Sequence, residues 1–273
     1  MTTVAISSDS LRERAGELRW YQSIELPGGL TTRGEYDMAG ALKRVPFPPS
    51  LAGLRCLDVG TRDGFWAFEM EKRGAAEVLA TDLEDQAEVD LPEPRPSFDE
   101  TQLRGLRGRN ASFELAREAL GSEIKWKPIN VYDLTPQRVG MFDFVFIGSL
   151  LLHLRNPVDA LNAIRGVLEP GGRLMSNNPI SLPLTVKRPF WPAADLFMQP
   201  NLPFFYVPNA RGHIRMLEGA GFEVVSAGRP YLFRYGEGWE PRGFKLRPAG
   251  AALRAIQLIG TPHTCVVGRP KPS

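Results

Sequence analysis

The residues best equipped for chemistry stand in and around residues 54–66, LRCLDVGTRDGFW. Asp58, Gly60 and Gly64 form an acid-x-Gly-x-x-x-Gly loop with Arg62 inside it. Glycines let such a loop turn tightly, and the helix that follows aims its N-terminus at whatever binds there. Dinucleotide binding expects G-x-G-x-x-G, in which the second glycine admits a pyrophosphate against the main chain. Arg62 stands in that glycine's place, which disfavours a NAD-dependent oxidoreductase. A second acid, Asp82, ends the run EVLATD about twenty residues further on, where a carboxylate can accept both hydroxyls of a ribose. His153, in GSLLLHLRNP, is the first candidate general base, because a neutral imidazole suits proton transfer near pH 7. It could equally serve only to fix the loop into Pro157.

The elements that must position these groups are legible from periodicity. Leu54, Cys56, Leu57 and Val59 give the short apolar run of a buried parallel strand, and Phe65, Trp66, Phe68 and Met70 carry helical spacing. Strand, glycine loop and helix place the loop at the strand's carboxyl end, the edge where nucleotide-like ligands sit in open α/β sheets. Further strands are predicted at 77–82, 124–129 and 142–147 (FDFVFI), at RLMSNN after Pro170-Gly171-Gly172, at FEVVSAG and at HTCVVGR. The last two are expected as a hairpin-like pair. Helices are predicted at VDALNAIRGVL, at ARGHIRMLEGAG with Asn209 as its cap, and at AALRAIQLI. The fold class is therefore α/β, Rossmann-like, with a mostly parallel sheet of about seven strands flanked by helices.

Residues 1–50 read as an N-terminal extension or cap, and 51–273 as the main domain. The extension opens with a serine-capped polar helix. WYQSIELPGGLTTRGEYD follows, too apolar for a flexible tail and expected to fold back over the ligand edge. Two insertions interrupt the alternation. The first, at about 83–121, holds acidic and basic runs and the amphipathic ASFELAREALGS, and is expected as a lid. The second, at about 179–208, is expected to be irregular, with Trp191, Phe197, Phe204 and Phe205 either walling an apolar pocket or packing as core. With 273 residues, 43% hydrophobic and 23% charged, the chain is an ordinary globular one. A net charge of +2 neither requires nor excludes nucleic acid. Cys56 and Cys265 fall in expected buried strands and read as reduced core residues, and no metal-ligand spacing is present. No apolar run long enough to span a bilayer occurs, so no membrane association is expected and the cytoplasm is the default location.

The acid-glycine loop, the acid after the second strand, PGG before the fifth, GAGF before the sixth and the short seventh strand together resemble the class I S-adenosylmethionine (SAM) methyltransferases. More narrowly, WYQSIELPGG, CLDVGTRDGFWAFEM, FIGSLLLHLRNPVDAL and FYVPN are similar to the tRNA wobble-uridine carboxymethyltransferase-like branch, over about residues 20–228. The resemblance implies SAM as cofactor. Asp58, Gly60 and Gly64 would then shape the loop and meet the methionine part, and Asp82 the ribose. Leu83 would lie against the adenine, Val131 and Tyr132 would flank its edge, and Gly148 and Ser149 would meet the sulfonium. Tyr206, His213 and Phe205 are expected on the substrate side, and His263, just before a buried strand, reads as structural. The carboxy-SAM enzymes of the branch read the extra carboxylate with a Tyr just before the His of HxxxP. Here that residue is Leu152. Their carboxylate-binding Lys has no match, although Arg33 lies in the comparable extension. Ordinary SAM is therefore expected over carboxy-SAM.

Three functions follow as expectations. The first is methylation of an oxygen of a small molecule, enclosed by the two insertions. The second is modification of a tRNA wobble uridine, supported by the branch resemblance and by Arg229, Arg234, Arg242, Lys245, Arg247 and Arg254. The third is a non-catalytic partner protein of the same fold, which the intact set Asp58, Gly60, Gly64 and Asp82 disfavours.

Overall fold

The Ser7 hydroxyl accepts the N–H of Ser10 and caps helix α1, Ser8–Glu17, which buries Leu11 and Ala15. This computed structural model describes residues 7–84, 88–93, 110–198, 204–240, 256 and 258–272. After α1 come four short strands, β1 (Trp20–Gln22), β2 (Glu25–Leu26), β3 (Leu30–Thr31) and β4 (Gly34–Tyr36), and helix α2 (Met38–Leu42). β1 pairs with β4 and β2 with β3, so the extension has strand pairs of its own.

The alternating part follows. β5 (Arg55–Val59), α3 (Phe65–Lys72) and β6 (Glu77–Asp82) form the first unit, and α4 (Ala111–Leu120) leads into β7 (Lys125–Pro128). The short α5 (Pro136–Val139) precedes β8 (Phe142–Gly148), and α6 (Pro157–Gly166) precedes β9 (Leu168–Pro179). Then come α7 (Leu182–Lys187), β10 (Ala194–Leu196), β11 (Tyr206–Pro208), α8 (Ala210–Gly219), β12 (Phe222–Ala227), β13 (Tyr231–Arg234) and β14 (Gly260–Pro270). The main sheet runs β12-β14-β9-β8-β5-β6-β7, with β13 also on β14. β5 through β9 pair in parallel, while β14 is antiparallel to β9, β12 and β13.

The period of two in the strands sends side chains to two cores. Cys56, Phe144 and Phe146 pack with Trp66, Phe68 and Phe113 beneath the extension. Leu57, Val145 and Ile147 pack with Leu161, Ile164 and Leu217 on the other face. Both faces of the sheet are thereby covered, as a parallel sheet requires.

Several expectations are corrected. Pro170-Gly171-Gly172 does not precede the fifth main strand but lies within it. Phe142 pairs with Leu168 and Phe144 with Arg173, and the shift of register absorbs the extra residues. The stretch 179–208 is not wholly irregular, since it contains α7 and the antiparallel pair β10–β11. Within 83–121, Ala111–Leu120 is the expected amphipathic helix and packs into the core, with Phe113 fully buried and stacked on Phe68 at 5.6 Å, while 85–87 and 94–109 lie outside the described residues. FEVVSAG and HTCVVGR do pair, but with β13 between them in the chain. The expected helix AALRAIQLI lies mostly outside the described residues, as do Arg242, Lys245, Arg247 and Arg254, whereas Arg229 and Arg234 are exposed. Among the described residues no helix is long and apolar enough to cross a membrane.

Candidate active site

The glycine loop is a main-chain structure most of whose own donors are already used. Gly60 sits at φ 72° and Gly64 at φ 96°. A Cβ on Gly64 would lie 2.6 Å from the Phe113 ring and 2.7 Å from that of Phe68, so both conformation and space demand glycine. The N–H groups of Gly60 and Thr61 both donate to Thr81 O, at 2.8 and 3.0 Å. Arg62 N–H donates to Asp82 Oδ2 (2.9 Å), Gly64 N–H to Thr61 O (3.0 Å) and Phe65 N–H to Gln22 Oε1 (2.9 Å). A pyrophosphate needs such donors free.

The two acids of the motif play different parts. Asp58 is 1% exposed and accepts the Thr61 hydroxyl at 2.7 Å. Burial, with the charge of Asp82 nearby, pushes its carboxyl up to about 7. It braces the loop from beneath. Asp82, at the carboxyl end of β6, is half-buried and also accepts Leu83 N–H through Oδ1 at 2.7 Å. A carboxylate has about four lone-pair sites, so two remain for a pair of vicinal hydroxyls.

The extension is tied onto this loop. Asp63, 3% exposed, accepts the N–H groups of Tyr21 (2.6 Å) and Gln22 (2.7 Å) and the Ser112 hydroxyl (2.6 Å). The Arg62 guanidinium lies over the Tyr21 ring, 5.2 Å from its centre. On the far side, Asp37 N–H donates to Arg234 O and Gly236 N–H to Glu35 O, which fastens the cap to β13 and the turn after it. The roof thus spans from the glycine loop to the start of β14.

Under that roof, at the end of β8, Ser149 adopts φ 50°, a left-handed conformation that costs a non-glycine residue about 1–3 kcal/mol. Three contacts hold it there. Its N–H donates to Asn177 O (2.8 Å), its Oγ lies 3.0 Å from His263 Nε2, and the Tyr21 hydroxyl lies against it. His263 Nδ1 in turn lies 2.9 Å from Thr261 O. The Tyr231 hydroxyl donates to Asn177 Oδ1 at 2.6 Å, which adds a phenol to the same edge.

The turn after Ser149 is fixed from β9. Leu150 and Leu151 N–H both donate to Asn178 Oδ1 at 3.0 Å, and Asn178 Nδ2 donates to Ser176 Oγ at 2.9 Å. Ser176 Oγ meets His213 Nε2 (2.9 Å), and His213 Nδ1 meets Thr264 Oγ1 (2.8 Å). His213 is therefore not on the substrate side. It is fully buried on the inner face of α8, and burial pushes its imidazole down to about 3.

The remaining expected residues are distributed as follows. His153 ends a short turn, Leu151–His153, with its ring 5.2 Å from that of Phe204. Phe205 is buried, donates its N–H to Leu152 O and lies beneath the Arg155 guanidinium. The Tyr206 hydroxyl donates to Arg155 O at 3.2 Å. Trp191 walls no pocket, since it is 72% exposed. Gly148 precedes Ser149 at the strand end, and Val131 is buried on the turn after β7. Beside it, the Tyr132 hydroxyl donates to Asp90 Oδ2 (2.7 Å) and accepts Asn156 N–H (3.1 Å). Leu152 is buried and Arg33 is exposed, so neither offers an inward polar group beside Ser149. Gln22, Asp63 and the His263–Ser149 pair escaped the sequence. Gln22, Asp63 and Ser149 lie within stretches that carry the resemblance, and Ser149 was expected at the sulfonium, but no spacing along the chain signals that Gln22 meets Asp63 or that Ser149 meets His263.

These groups fit SAM. The loop presents a carboxylate and carbonyl oxygens rather than free donors, which suits a cationic ligand bearing ribose hydroxyls and no phosphate.

A family model described as a methyltransferase domain matches residues 31–227. A tRNA U34 carboxymethyltransferase of Chromohalobacter salexigens is 26% identical over 242 residues, covering 81% of this chain and 65% of that relative. One from Trichlorobacter lovleyi is 31% identical over 131 residues, covering 48% of this chain and 34% of the relative. The chain thus spans less than two thirds of the length of these relatives. Among solved structures, the N-terminal domain of EvdMO1, in the presence of SAH and D-fucose, aligns with a TM-score of 0.57 at 16% identity over 98% of both chains. The [4+2]-cyclase SpnF aligns with a TM-score of 0.55 at 16% identity, over 86% of this chain and 80% of its own. At that identity the likeness is one of fold.

Proposed function

The chain belongs to the methyltransferase-domain family and has its SAM-dependent fold, and from that premise we propose that it methylates an oxygen of a small acceptor molecule. The observation that carries the SAM part is the use of the loop's N–H groups within the protein while Asp82 keeps lone pairs toward the ligand edge. SAM supplies an electrophilic methyl group on a sulfonium. In this reading Asp82 takes the ribose hydroxyls, and the Gly60–Gly64 main chain, braced by Asp58, passes along the methionine part. Leu83, Val131 and Tyr132 border the adenine, and Gly148 and Ser149 lie beside the sulfonium. The chain's own work is alignment, worth up to ~7–11 kcal/mol where the bound geometry is close to the reacting one. The cap over β5, β8 and β14 supports a small acceptor by keeping water from that edge.

A second reading, tRNA wobble-uridine modification, is favoured by the names of the sequence relatives. Carboxymethyl transfer would want a polar reader for the cofactor's carboxylate. The burial of Leu152 and the outward exposure of Arg33 count against that donor. Parallel calorimetry with SAM, carboxy-SAM and NAD tests the cofactor, and label transfer from SAM into a small-molecule extract or into bulk tRNA tests the acceptor. SAM binding with label in the small-molecule fraction is the expected result. Preference for carboxy-SAM, or label in tRNA with binding that weakens steeply as salt rises, would replace this reading with the second.

A further inference from the structure

We propose that Ser149, set in direction by His263, receives the proton of the acceptor, and that this site therefore takes an acceptor whose nucleophilic oxygen carries a hydrogen. The inference rests on the methyl-transfer reading above.

The direction of the hydrogen bonds is fixed from the inside outward. His263 Nδ1 is 2.9 Å from Thr261 O, and a backbone carbonyl can only accept. Nδ1 therefore carries the hydrogen. The ring is 1% exposed, 4.7 Å from the Phe233 ring and 6.2 Å from that of Tyr231, surroundings that favour the neutral imidazole. A neutral ring with hydrogen on Nδ1 has a bare Nε2. Ser149 Oγ, 3.0 Å away, must donate to it.

Ser149 has one hydroxyl hydrogen, and it points into the protein. What its oxygen offers elsewhere is lone pairs alone. One faces the Tyr21 hydroxyl of the cap. The other can hold an O–H but nothing that only accepts, such as an ether or a carboxylate. The left-handed backbone at Ser149 supports a functional reading, since strain of this kind persists where the surroundings fix it and clusters at working sites.

The step balances as follows. A bond forms between the acceptor oxygen and the methyl carbon while the C–S bond breaks, its electron pair staying on sulfur. The acceptor's O–H proton passes to Ser149 Oγ as the Ser149 proton passes to His263 Nε2. The imidazolium so formed is held by Thr261 O. As the oxygen gains its methyl it becomes oxonium-like and strongly acidic, so a base of low intrinsic strength is sufficient. The titratable groups beside this pair are Tyr21 of the cap, against Ser149, Tyr231 on β13, whose ring is 6.2 Å from that of His263, and His213 on α8, with Tyr36 and Arg62 behind Tyr21. Ser149 is the residue that touches the acceptor, and His263 positions it. His153, one turn further on against Phe204, is not needed for the transfer.

The test combines three readouts on the full chain. Nitrogen-15 NMR of histidine-labelled protein at pH 7 should show His263 with hydrogen on Nδ1 and a bare Nε2, and Ser149→Gly should shift Nε2. Glycine is chosen because it accepts φ 50° without strain. Calorimetry should give a SAM dissociation constant for His263→Gln within about threefold of wild type, and both variants are assayed at saturating SAM because Ser149 lies beside the sulfonium. Label transfer into the small-molecule extract should fall about a hundredfold or more in both variants. Hydrogen on Nε2, or transfer by either variant at the wild-type rate, would overturn the proposal. Loss of SAM binding by His263→Gln in step with transfer would also overturn it, by assigning the pair a structural role. Wild-type protein that binds SAM yet labels nothing in the extract would instead remove the small-acceptor reading, and the NMR result would still decide the direction of the Ser149 hydrogen bond.

Discussion

Gln22 and Asp63 hold each other's neighbourhood in a two-way clamp. Asp63 Oδ2 accepts Gln22 N–H at 2.7 Å, and Gln22 Oε1 accepts the N–H of Phe65, two residues past Asp63, at 2.9 Å. Gly64, the residue before helix α3, has no side chain to cap that helix, so the cap comes from the extension instead. The glycine loop and its roof are therefore one unit, and loosening either loosens the ligand edge.

Asp63→Ala removes three acceptor contacts at once. Hydrogen bonds to a charged group contribute about 1.5–3 kcal/mol each when their partners stay buried. The cap should then detach locally. We expect trypsin to cut after the exposed Arg33 at least about tenfold faster than in wild type, with SAM restoring part of the protection. An unchanged cleavage rate would show that the cap is held by its other contacts.

Asp82→Ala should weaken SAM binding by about 10–100-fold, the equivalent of about 1.4–3 kcal/mol for lost charge-assisted contacts. Part of this comes from the protein itself, because Arg62 and Leu83 lose the acceptor of their N–H groups. Calorimetry reads it directly. Asp82→Asn should fall between the two, since it keeps an acceptor and loses the charge.

Gly64→Ala should lower stability by about 2–4 kcal/mol, because φ 96° and the Phe68 and Phe113 rings both oppose a Cβ. Gly121→Ala is the control. That glycine also has positive φ, 60°, but a Cβ there meets nothing within 4 Å, so about 1 kcal/mol is expected. Equal shifts in thermal midpoint would assign the effect to backbone conformation alone.

The buried His213 makes stability depend on pH. Its folded value, about 3, lies below the ordinary 6.5, so the unfolded chain binds the proton more tightly. The stability it contributes is intact above 6.5 and is lost as pH falls toward about 3, by about 1.4 kcal/mol per pH unit at most. His263, pushed down to about 4, adds to the loss, whereas Asp58, pushed up to about 7, opposes it. The clean reading is the difference between wild type and His213→Gln in urea. The advantage of wild type at pH 7.5 should shrink steadily between pH 6.5 and 4.5. A constant difference would mean that the ring titrates normally.

What the sequence determined by itself was local. The apolar run at residues 54–59, the acid-glycine spacing and the acid at Asp82 mark strand, loop and strand end, because period and turn chemistry act over a few residues. They were enough to place the ligand edge and to set SAM above a dinucleotide. Tertiary structure decided everything that joins distant segments. The pairing of Gln22 with Asp63 spans 41 residues and that of Ser149 with His263 spans 114. Neither follows from any pattern along the chain, since each depends on β14 entering the sheet beside β9 and on the cap folding across β5. The same reason explains the exchange of roles between histidines. His213 has helical spacing that could face either way, and only the packing of α8 on β14 buries it. His263 precedes a buried strand, and only the antiparallel direction of β14 brings its start to the carboxyl end of β8.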